Sequence, residues 1–543
     1  MATDPSGASL LAWVQQYRGE LSEGVQFNLD QHRYLRGIYE DTSRELVIMK
    51  SGQGGASEYC VSRALWSCDA REMNVLYLLP TIGDISDFSQ MRIGMAIEAS
   101  QYLAGIVAKE TGKRSADRVQ LKRIRDRWLV LRGAQVRAAA SAAGGTPRAG
   151  ASRLKSVPVD LVIYDEYDEM PFAVEALAVK RLGHSTHKEQ AWVSTPTYPG
   201  AGIHRKFNES DQRHWEIPCG HCGTWQTLTI GHVVIEYDDL ERPVAWHGQD
   251  DGRAWCACQS CGRELDRLAE GRWVAYNPGA AIRGYTFNKL VTAQNEPLAV
   301  VRALQTTDES KRQEAFNQDL ALPYKPRGSG LDTDILNACI RDYGFGAGLA
   351  EQPVMGIDVG RVLHVVIRGP AHPETGERPL RWAGEVGEFE EASRLIERYK
   401  VQRCVVDAMP ETRLARLFQQ AHRPRLVWLA YYLDDSKAGE EAGWKEERGP
   451  GGWSGTVNLD RTRVLDDTVA RFMEQVNTLP GNIRSLPRYY EQLLAPVRVM
   501  KTTPKGKVVA RYVEAGPDHY AHAEAYCTAA SLEAKPRAGA WGR

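Results

Sequence analysis

The stretch ELVIMKSGQGGAS, residues 45–57, decides the fold of the first half of the chain. A short apolar run ends at Lys50, and glycines follow at positions 52, 54 and 55. A strand that enters a glycine-rich turn and then a helix forms an anion cradle. The glycine N–H groups can approach phosphate oxygens, and the helix dipole favours negative charge. The stretch therefore predicts a nucleotide-phosphate site.

This loop departs from the common P-loop pattern GxxxxGK(S/T) at two positions. Lys50 occupies the first glycine position and Ala56 the lysine position, so the cation stands at the start of the loop. Its long side chain can still reach the β- and γ-phosphates of ATP, and Ser57 keeps the hydroxyl that Mg²⁺ requires. The predicted ATP-binding residues of the loop are Lys50, Ser51, Gly52, Gln53, Gly54, Gly55, Ala56 and Ser57. A glycine-rich turn without a ligand is the alternative.

Further apolar runs at 74–80, 128–133, 159–166 and 190–196 are separated by helix-length segments. This alternation predicts a mostly parallel sheet in an α/β domain of the RecA or P-loop type.

The run LVIYDE, residues 161–166, places two carboxylates at the end of an apolar strand. In open α/β sheets that end faces the ligand crevice. Asp165 is therefore predicted to hold Mg²⁺ through water, and Glu166 to polarise the water that attacks ATP. A capped strand end is the alternative.

Three other elements are assigned to this site. Ser194 and Thr195 end the next strand, where hydroxyls beside the γ-phosphate can couple hydrolysis to movement. Gln31, with an aromatic residue four positions earlier, suits adenine recognition, although an ordinary helix start explains it equally well. Arg148 and Arg153 are candidates for an arginine finger; DNA contact or plain surface charge is the alternative.

Two CxxC motifs lie between residues 219 and 261, and each is followed by glycine. Four thiolates in tetrahedral geometry select Zn²⁺, and closed sites of this kind are structural. The predicted zinc ligands are Cys219, Cys222, Cys258 and Cys261.

A second set of acids follows residue 350. Asp358 and Asp407 lie on apolar strands, and Asp518 and His522 are separated by four positions on a helix, which places them on one face. Carboxylates from two strands and a helix are how an RNase H-like fold gathers two divalent ions. Mg²⁺ or Mn²⁺ suits such oxygen-rich sites and supports phosphodiester cleavage. A strand cap is the alternative for each acid.

The chain has 543 residues and a formal net charge of −1. Its length predicts two or three domains, and its ordinary composition excludes disordered, collagen and coiled-coil classes. No apolar stretch is long enough for a membrane span, and the N-terminus has no secretory signal, so we expect a cytoplasmic protein. Residues 113–155 hold twelve Lys/Arg against two Asp, a local net charge of +10, and 498–511 add five bases. Such strips suit the DNA backbone; a solvated helix face is the alternative.

The predicted domains are an N-terminal helical lead over 1–45, a P-loop ATPase domain over 46–205 and 281–325, a zinc-binding insert over 206–280, a linker over 326–350, an RNase H-like nuclease domain over 351–532 and a disordered tail over 533–543.

In combination, these motifs resemble the phage terminase large subunit, and the double-CxxC insert is similar to that of the lambda-like, gpA-type branch. The resemblance implies a viral DNA-packaging motor that uses ATP, Mg²⁺ or Mn²⁺, and Zn²⁺. It implies duplex DNA, a small terminase subunit and the procapsid portal as partners, a homo-oligomeric ring when docked, and action in the host cytoplasm. Relatives carry a second acid where this chain has His522, so either Asp518 or His522 is the third nuclease ligand.

Two other functions fit parts of the sequence. A DExD-type helicase or translocase would have a second RecA-like lobe after residue 280. A non-catalytic, zinc-stabilised DNA-binding scaffold would hydrolyse no ATP, and the exchange of Lys50 and Ala56 relative to the P-loop pattern favours it.

Overall fold

The computed structural model describes residues 7–21, 25–107, 117–134, 158–171, 173–326, 328–345, 352–433, 443–449, 452–502, 508–514 and 516–532. The chain divides into two compact units, Met1–Pro326 and Arg327–Arg543. In the ranges given, no helix combines the length and the apolar character that a membrane crossing requires. The tail expected over 533–543 lies outside the described residues.

The first unit alternates strands and helices. Its strands are β1 Glu45–Lys50, β2 Val75–Leu79, β3 Asp117–Arg118, β4 Leu121–Ile124, β5 Arg127–Gly133, β6 Leu161–Asp165, β7 Glu189–Ser194, β8 Arg213–Pro218, β9 Trp225–Thr227, β10 Val234–Tyr237, β11 Pro243–Trp246, β12 Arg272–Ala275 and β13 Arg283–Phe287. Its helices are α1 Leu10–Tyr17, α2 Arg33–Glu40, α3 Ala56–Asp69, α4 Ile82–Phe88, α5 Met95–Glu98, α6 Gln101–Ile106, α7 Ala173–Val179, α8 Gly202–Asn208, α9 Pro297–Leu304 and α10 Glu309–Glu314. Two π-helical turns cover Ser89–Gly94 and Ala315–Asp319.

The five strands that the sequence predicts are confirmed as β1, β2, β5, β6 and β7. Within the described residues they belong to an 11-stranded sheet whose central order is β13-β1-β7-β6-β2-β5, with every pair parallel. Parallel pairing turns the carboxyl ends of β1, β6 and β7 to one edge, so the phosphate loop, the two acids and the Ser-Thr pair meet there.

Both faces of this sheet are covered. Leu46 and Ile48 of β1 pack into one hydrophobic core, and Val47 and Met49 pack into the core on the opposite face. Burial on both sides explains why the strand sequence is continuously apolar instead of alternating. The helices α1 and α2 of the N-terminal lead contribute to the first core.

The segment 206–280 was expected as a separate insert, and the structure differs. Strands β8 and β12 join the main sheet, where β8 pairs with β13 in parallel and with β12 antiparallel. Trp215 and Ile217 alternate along β8 and bury their side chains in the first core. Strand β8 therefore extends the sheet beyond β13 and connects the cysteine-bearing turns to the core of the first unit.

The second unit is also α/β. Its strands are β14 Ile340–Arg341, β15 Val354–Val359, β16 Leu363–Arg368, β17 Arg378–Val386, β18 Arg403–Asp407, β19 Val427–Tyr432, β20 Gly443–Gly449, β21 Gly452–Leu459, β22 Asn477–Pro480, β23 Pro496–Thr502 and β24 Val508–Glu514. Its helices are α11 Thr333–Ala338, α12 Phe389–Tyr399, α13 Thr412–Gln420, α14 Arg461–Met473, α15 Tyr489–Leu494 and α16 His519–Ser531.

Its main sheet has nine strands among the described residues, and the central order is β17-β16-β15-β18-β19. The first three strands form an antiparallel meander, whereas β18 and β19 run parallel to β15. Asp358 and Asp407 therefore lie near the same edge of adjacent central strands.

Part of the predicted linker over 326–350 carries regular structure, namely helix α11 and strand β14. Asp332 caps helix α11 by accepting a hydrogen bond from the Ile335 N–H, 2.8 Å long, and β14 pairs with β22. Leu336 and Cys339 are buried in the core of the second unit. The loop-forming composition of PYKPRGSG ends at residue 330, after which a cap and apolar residues build a helix.

Helix α16 lies directly on β15. A Cβ added at Gly356 would overlap the backbone of Ala523 and Cys527, so only glycine admits this approach. In the same helix, fully buried Glu524 forms a two-point ion pair with Arg368, with N···O distances of 2.7 and 2.8 Å. Removing one partner of such a pair leaves an uncompensated buried charge, so the pair fixes the seating of α16.

Candidate functional site

The phosphate loop follows β1 and ends at the start of α3. Gly55 caps α3 with a φ of 83°, and Gln53 is left-handed with a φ of 59°. The Tyr34 hydroxyl of α2 donates a 3.0 Å hydrogen bond to the Gly54 carbonyl oxygen. The glycines thus supply turns that other residues disfavour, and the N-terminal lead fastens one side of the loop.

Lys50 meets Glu166 at this edge. The Nζ atom of Lys50 lies 2.8 Å from Oε1 of Glu166, and the Lys50 side chain is only 7% exposed. Glu166 follows β6 with a φ of 57°, a left-handed conformation that is costly for a non-glycine residue. The relocated cation and the predicted catalytic acid are therefore in direct contact.

Asp165 is buried beside them. The Tyr77 hydroxyl of β2 donates a 2.6 Å hydrogen bond to Oδ2 of Asp165, while Oδ1 has no hydrogen-bond partner among the residues that the structure describes. Burial, reinforced by the charge of Glu166, raises the pKa of Asp165 to about 6. The Ser51 hydroxyl is likewise buried without a partner. Unpaired buried oxygen atoms at the end of a strand are suited to a cation or to ordered water.

The end of β7 completes the edge. Ser194 accepts a 3.2 Å hydrogen bond from the backbone N–H of Asp168, and Thr195 accepts one of 3.2 Å from the side-chain amide of Gln318. Both residues predicted for coupling thus contact segments that follow other strands. Gln318 was not predicted, because it lies on the π-helical turn Ala315–Asp319, far from the motifs in sequence.

Four further residues were predicted for the ATP site. Ser57 is half-buried in the first turn of α3, and Gln31 is exposed in the turn before α2. The ring of Phe27 packs edge-on against Tyr39 at a centroid distance of 5.4 Å. Adenine recognition by Gln31 stays a prediction. Both candidate arginine fingers, Arg148 and Arg153, lie outside the described residues.

The two CxxC turns bring four sulfur atoms together. Within the described residues these sulfurs lie within 4.8 Å of one another, and they belong to Cys219, Cys222, Cys258 and Cys261. Two of the Sγ···Sγ distances are 3.7 Å. Tetrahedral zinc with Zn–S bonds of about 2.3 Å requires sulfurs about 3.8 Å apart, so this donor set fits Zn²⁺. The buried Cys256 stands outside the cluster.

Asp358 lies in a group that the sequence did not predict. Among the described residues its carboxylate, His364 and His519 have donor atoms within 4.8 Å of one another. Nδ1 of His519 is 2.8 Å from Oδ2 of Asp358, and the two imidazole rings stack with centroids 4.6 Å apart. One carboxylate and two imidazoles can hold a divalent ion.

Asp407 ends the neighbouring strand β18. The register pairs Ile357 with Val406, so the following residues, Asp358 and Asp407, sit at the same level on adjacent parallel strands. Burial, reinforced by the nearby charge of Asp358, raises the pKa of Asp407 to about 6. A buried carboxylate whose ionisation is disfavoured beside a second carboxylate is a setting in which a cation would be stabilised.

Asp518 and His522 lie side by side at the start of α16. Nε2 of His522 is 3.2 Å from Oδ2 of Asp518, and Arg461 lies 3.5 Å from the same oxygen. Burial opposes ionisation, but the His522 hydrogen bond and the Arg461 charge hold the pKa of Asp518 below its usual value. The other ring nitrogen of His522 contacts the Tyr432 hydroxyl at 2.7 Å. His522 is thus a partner of Asp518.

His519 and His364 were missed for different reasons. Asp518 is the N-cap of α16 and has non-helical backbone angles, so helical spacing does not describe its immediate neighbour His519. His364 faces Asp358 through the β15–β16 register, which pairs these two residues directly. The short turn at 360–362 indicates that β15 and β16 form a hairpin, and the antiparallel pairing could have been predicted from it.

The basic strip over 113–155 is largely neutralised where it is described. Arg125 pairs with Asp69 at 2.6 Å and Arg123 with Asp126 at 2.9 Å, and Lys122 is buried. Much of the remaining strip lies outside the described residues. The second basic stretch, 498–511, lies largely on β23 and β24, which pair antiparallel.

Comparisons with known proteins identify relatives of this arrangement. Residues 24–275 match the family model described as phage terminase large subunit gpA, ATPase domain. The large terminase subunit of Escherichia phage lambda is 24% identical over 265 residues. That alignment covers 46% of this chain and 38% of the lambda protein, so the chain spans well under half the length of this curated relative.

Solved structures of similar proteins include two large terminases. The crystal structure of the HK97 bacteriophage large terminase is 10% identical, and the match covers 96% of this chain and 99% of that one with a TM-score of 0.47. The nuclease domain of the large terminase subunit of bacterial virus Sf6 is 10% identical, and the match covers 36% of this chain and 97% of that one with a TM-score of 0.25.

The hydrogen bond from Tyr77 to Asp165 generates a pH-dependent stability prediction. Because the pKa of Asp165 is raised to about 6, its ionisation destabilises the folded state as the pH rises through that value. The Tyr77 hydroxyl stabilises the ionised form of Asp165. The Tyr77→Phe substitution should therefore lower the free energy of unfolding only slightly near pH 5, and by about 1–3 kcal/mol near pH 8. Hydrogen exchange of the β2 and β6 amides in metal-free protein, corrected for intrinsic exchange rates, measures the free energy of unfolding at both pH values.

A matched control is Tyr164→Phe. The Tyr164 hydroxyl, also buried, contacts the neutral amide of Gln190 at 3.2 Å. Its removal should cost the same at both pH values. An equal loss at both pH values for Tyr77→Phe would contradict the assigned role of its hydroxyl.

Proposed function

We propose that the chain is a DNA-packaging motor, because residues 24–275 match the family model of the phage terminase gpA ATPase domain. ATP hydrolysis in the first unit would translocate double-stranded DNA into a procapsid, and a metal-dependent endonuclease in the second unit would cut concatemeric DNA. The contact between Lys50 and Glu166 carries the first half of this proposal, because it joins a phosphate-binding cation to a catalytic acid.

For ATP hydrolysis, the chain supplies three groups at one sheet edge. The loop N–H groups and Lys50 bind the phosphates, and the Glu166 carboxylate orients and polarises the attacking water. Mg²⁺ would supply positive charge on the phosphate oxygens, and Asp165, Ser51 and Ser57 are the residues suited to hold it. Tyr77 orients Asp165 so that its Oδ1 atom is left for that task.

For DNA cleavage, the second unit supplies acids and imidazoles. Asp358, with His519 and His364 beside it, and Asp407 on the next strand would hold the divalent ions, with Asp518 as a further acid. Such ions supply charge that stabilises the attacking and leaving oxygens of a phosphodiester. The antiparallel meander flanked by parallel strands supports an RNase H-like fold for this unit.

The four cysteines would hold a structural Zn²⁺. The spacing of their sulfur atoms fits a tetrahedral ion. Four thiolates would fill all four coordination positions of that ion, so none would be open to a substrate. We infer that the ion cross-links two turns of the segment that extends the ATPase sheet.

The motor assignment carries further expectations. Partners would be duplex DNA, a small terminase subunit and the portal of the procapsid, with a homo-oligomeric ring on the portal and action in the host cytoplasm. A helicase with a second RecA-like lobe is less well supported, because three central strands of the second unit are antiparallel. A non-catalytic scaffold would have no use for the strained Glu166 beside Lys50.

Glu166→Gln tests ATP hydrolysis. The amide keeps the size of the side chain but cannot polarise water, so DNA-stimulated kcat should fall by about 100-fold or more while ATPγS binding is retained. Glu98→Gln, at an exposed glutamate of the same unit, should match the original chain. Equal rates in the original chain and Glu166→Gln would overturn the motor assignment.

Asp358→Asn tests the nuclease. Loss of one carboxylate charge weakens ion binding, so Mn²⁺-dependent plasmid cleavage should disappear while ATPase activity is unchanged. Asp342→Asn replaces an exposed aspartate of the same unit and should cleave normally. Retained cleavage in Asp358→Asn would exclude this site.

Metal analysis tests the cysteine cluster. Purified chain should contain about one zinc ion, and Cys222→Ser should lose it and expose the turns at 219–223 and 258–262 to faster hydrogen exchange. Cys256→Ala is the matched control, because this cysteine lies outside the cluster and should leave the zinc content unchanged. Full zinc content in Cys222→Ser would exclude the proposed ligand set.

A further inference from the structure

The π-helical turn Ala315–Asp319 reaches two loops at the nucleotide edge through a single residue. The backbone N–H of Gly52 donates a 2.7 Å hydrogen bond to the Gln318 carbonyl oxygen. The side-chain amide of Gln318 donates a 3.2 Å hydrogen bond to Oγ1 of Thr195. One residue therefore joins the phosphate loop to the end of β7.

The loop is shaped to accept this residue. A Cβ at Gly52 would lie 2.8 Å from Oε1 of Gln318, so a larger residue at this position would displace the end of the Gln318 side chain. Neighbouring contacts fasten the same turn. In the amide orientation that satisfies its surroundings, Asn317 donates to the Pro196 and Thr197 carbonyl oxygens. Lys289 pairs with Asp319 at 2.6 Å.

The Gly52 N–H, one of the donors of the predicted anion cradle, is thus already bonded to the Gln318 carbonyl oxygen. A phosphate oxygen carries negative charge and is a stronger acceptor than a carbonyl oxygen, so ATP and the Gln318 carbonyl compete for the Gly52 N–H. Gln318 is solvent-exposed, so its displacement would uncover little buried surface. A π-helical turn is itself an irregular element that is often found at functional sites.

The geometry points to Gln318 as a positioning residue that transmits occupancy of the phosphate loop to Thr195 at the end of β7. Phosphate binding at Gly52 releases the Gln318 carbonyl, and the side-chain amide of Gln318 carries the displacement to the Thr195 hydroxyl. This inference rests on the proposed ATPase function. It gives the Ser194–Thr195 segment a physical connection to the nucleotide.

Hydrogen exchange of the full chain, with and without ATPγS and Mg²⁺, tests the competition. ATPγS should slow exchange over 50–57, and because release of the Gln318 carbonyl oxygen loosens the π-helical turn, amides over 315–322 should exchange about fivefold faster. Protection of 50–57 with unchanged exchange over 315–322 would overturn the inference and leave the ATPase intact. No protection of 50–57 would overturn ATP binding itself, and the inference with it.

Paired variants test the side-chain connection. Gln318→Met keeps the carbonyl and the size but removes the amide, and Thr195→Val removes the acceptor. Each should lower kcat about fivefold with little change in KM for ATP. Each should also abolish the nucleotide-dependent exchange change over 189–197. The double variant should resemble either single one, because both break the same hydrogen bond.

Two comparisons complete the test. Thr195→Ser keeps the hydroxyl and should restore the exchange response, and Glu314→Gln, an exposed residue just before the π-helical turn, should leave it unchanged. Additive effects of Gln318→Met and Thr195→Val, or a full response in Gln318→Met, would overturn the connection.

Discussion

The ion pair between Lys50 and Glu166 is the constraint on which the first unit depends. Lys50 ends β1 and Glu166 directly follows β6, and β7 lies between those strands in the sheet. A buried cation is stable only with a partner, so the pair ties the two strand ends across the intervening one. The strand that carries Ser194 at its end, β7, therefore lies between the two strands that position this ion pair. Moving the lysine from the helix end of the loop to the strand end makes this arrangement possible.

The parts of the fold that could be predicted are those with a local signal. Apolar runs gave the five central strands, the glycines gave the loop, and the CxxC spacing gave the sulfur cluster. Strand β8 was missed as part of the main sheet, because its pairing with β13 joins residues about seventy positions apart. Gln318 was missed for the same reason: its contacts with Gly52 and Thr195 span far longer separations in the chain.

The second unit illustrates how register decides a site. Asp358 and Asp407 could be singled out because each stands at the end of an apolar strand, and parallel pairing brings them level. The two histidines depend on geometry that the sequence does not display. His364 reaches Asp358 only through an antiparallel register, and His519 reaches it because the helix begins one residue later than Asp518. Acidic residues on apolar strands can thus be predicted from the sequence. The histidines beside them can be identified only once the strand register and the start of the helix are known.

Gly356 has a consequence for how this site tolerates change. The helix that carries His519 touches β15 through main-chain atoms at this glycine, with no side chain between them. Spacing between the helix start and Asp358 is consequently set by the van der Waals radii of the backbone, which mutation cannot alter. Substitutions elsewhere in the surrounding core can be absorbed by repacking without shifting that spacing. The backbone contact at Gly356 fixes how closely the helix approaches the strand. The geometry of Asp358 and His519 can therefore persist while the sequence around them diverges.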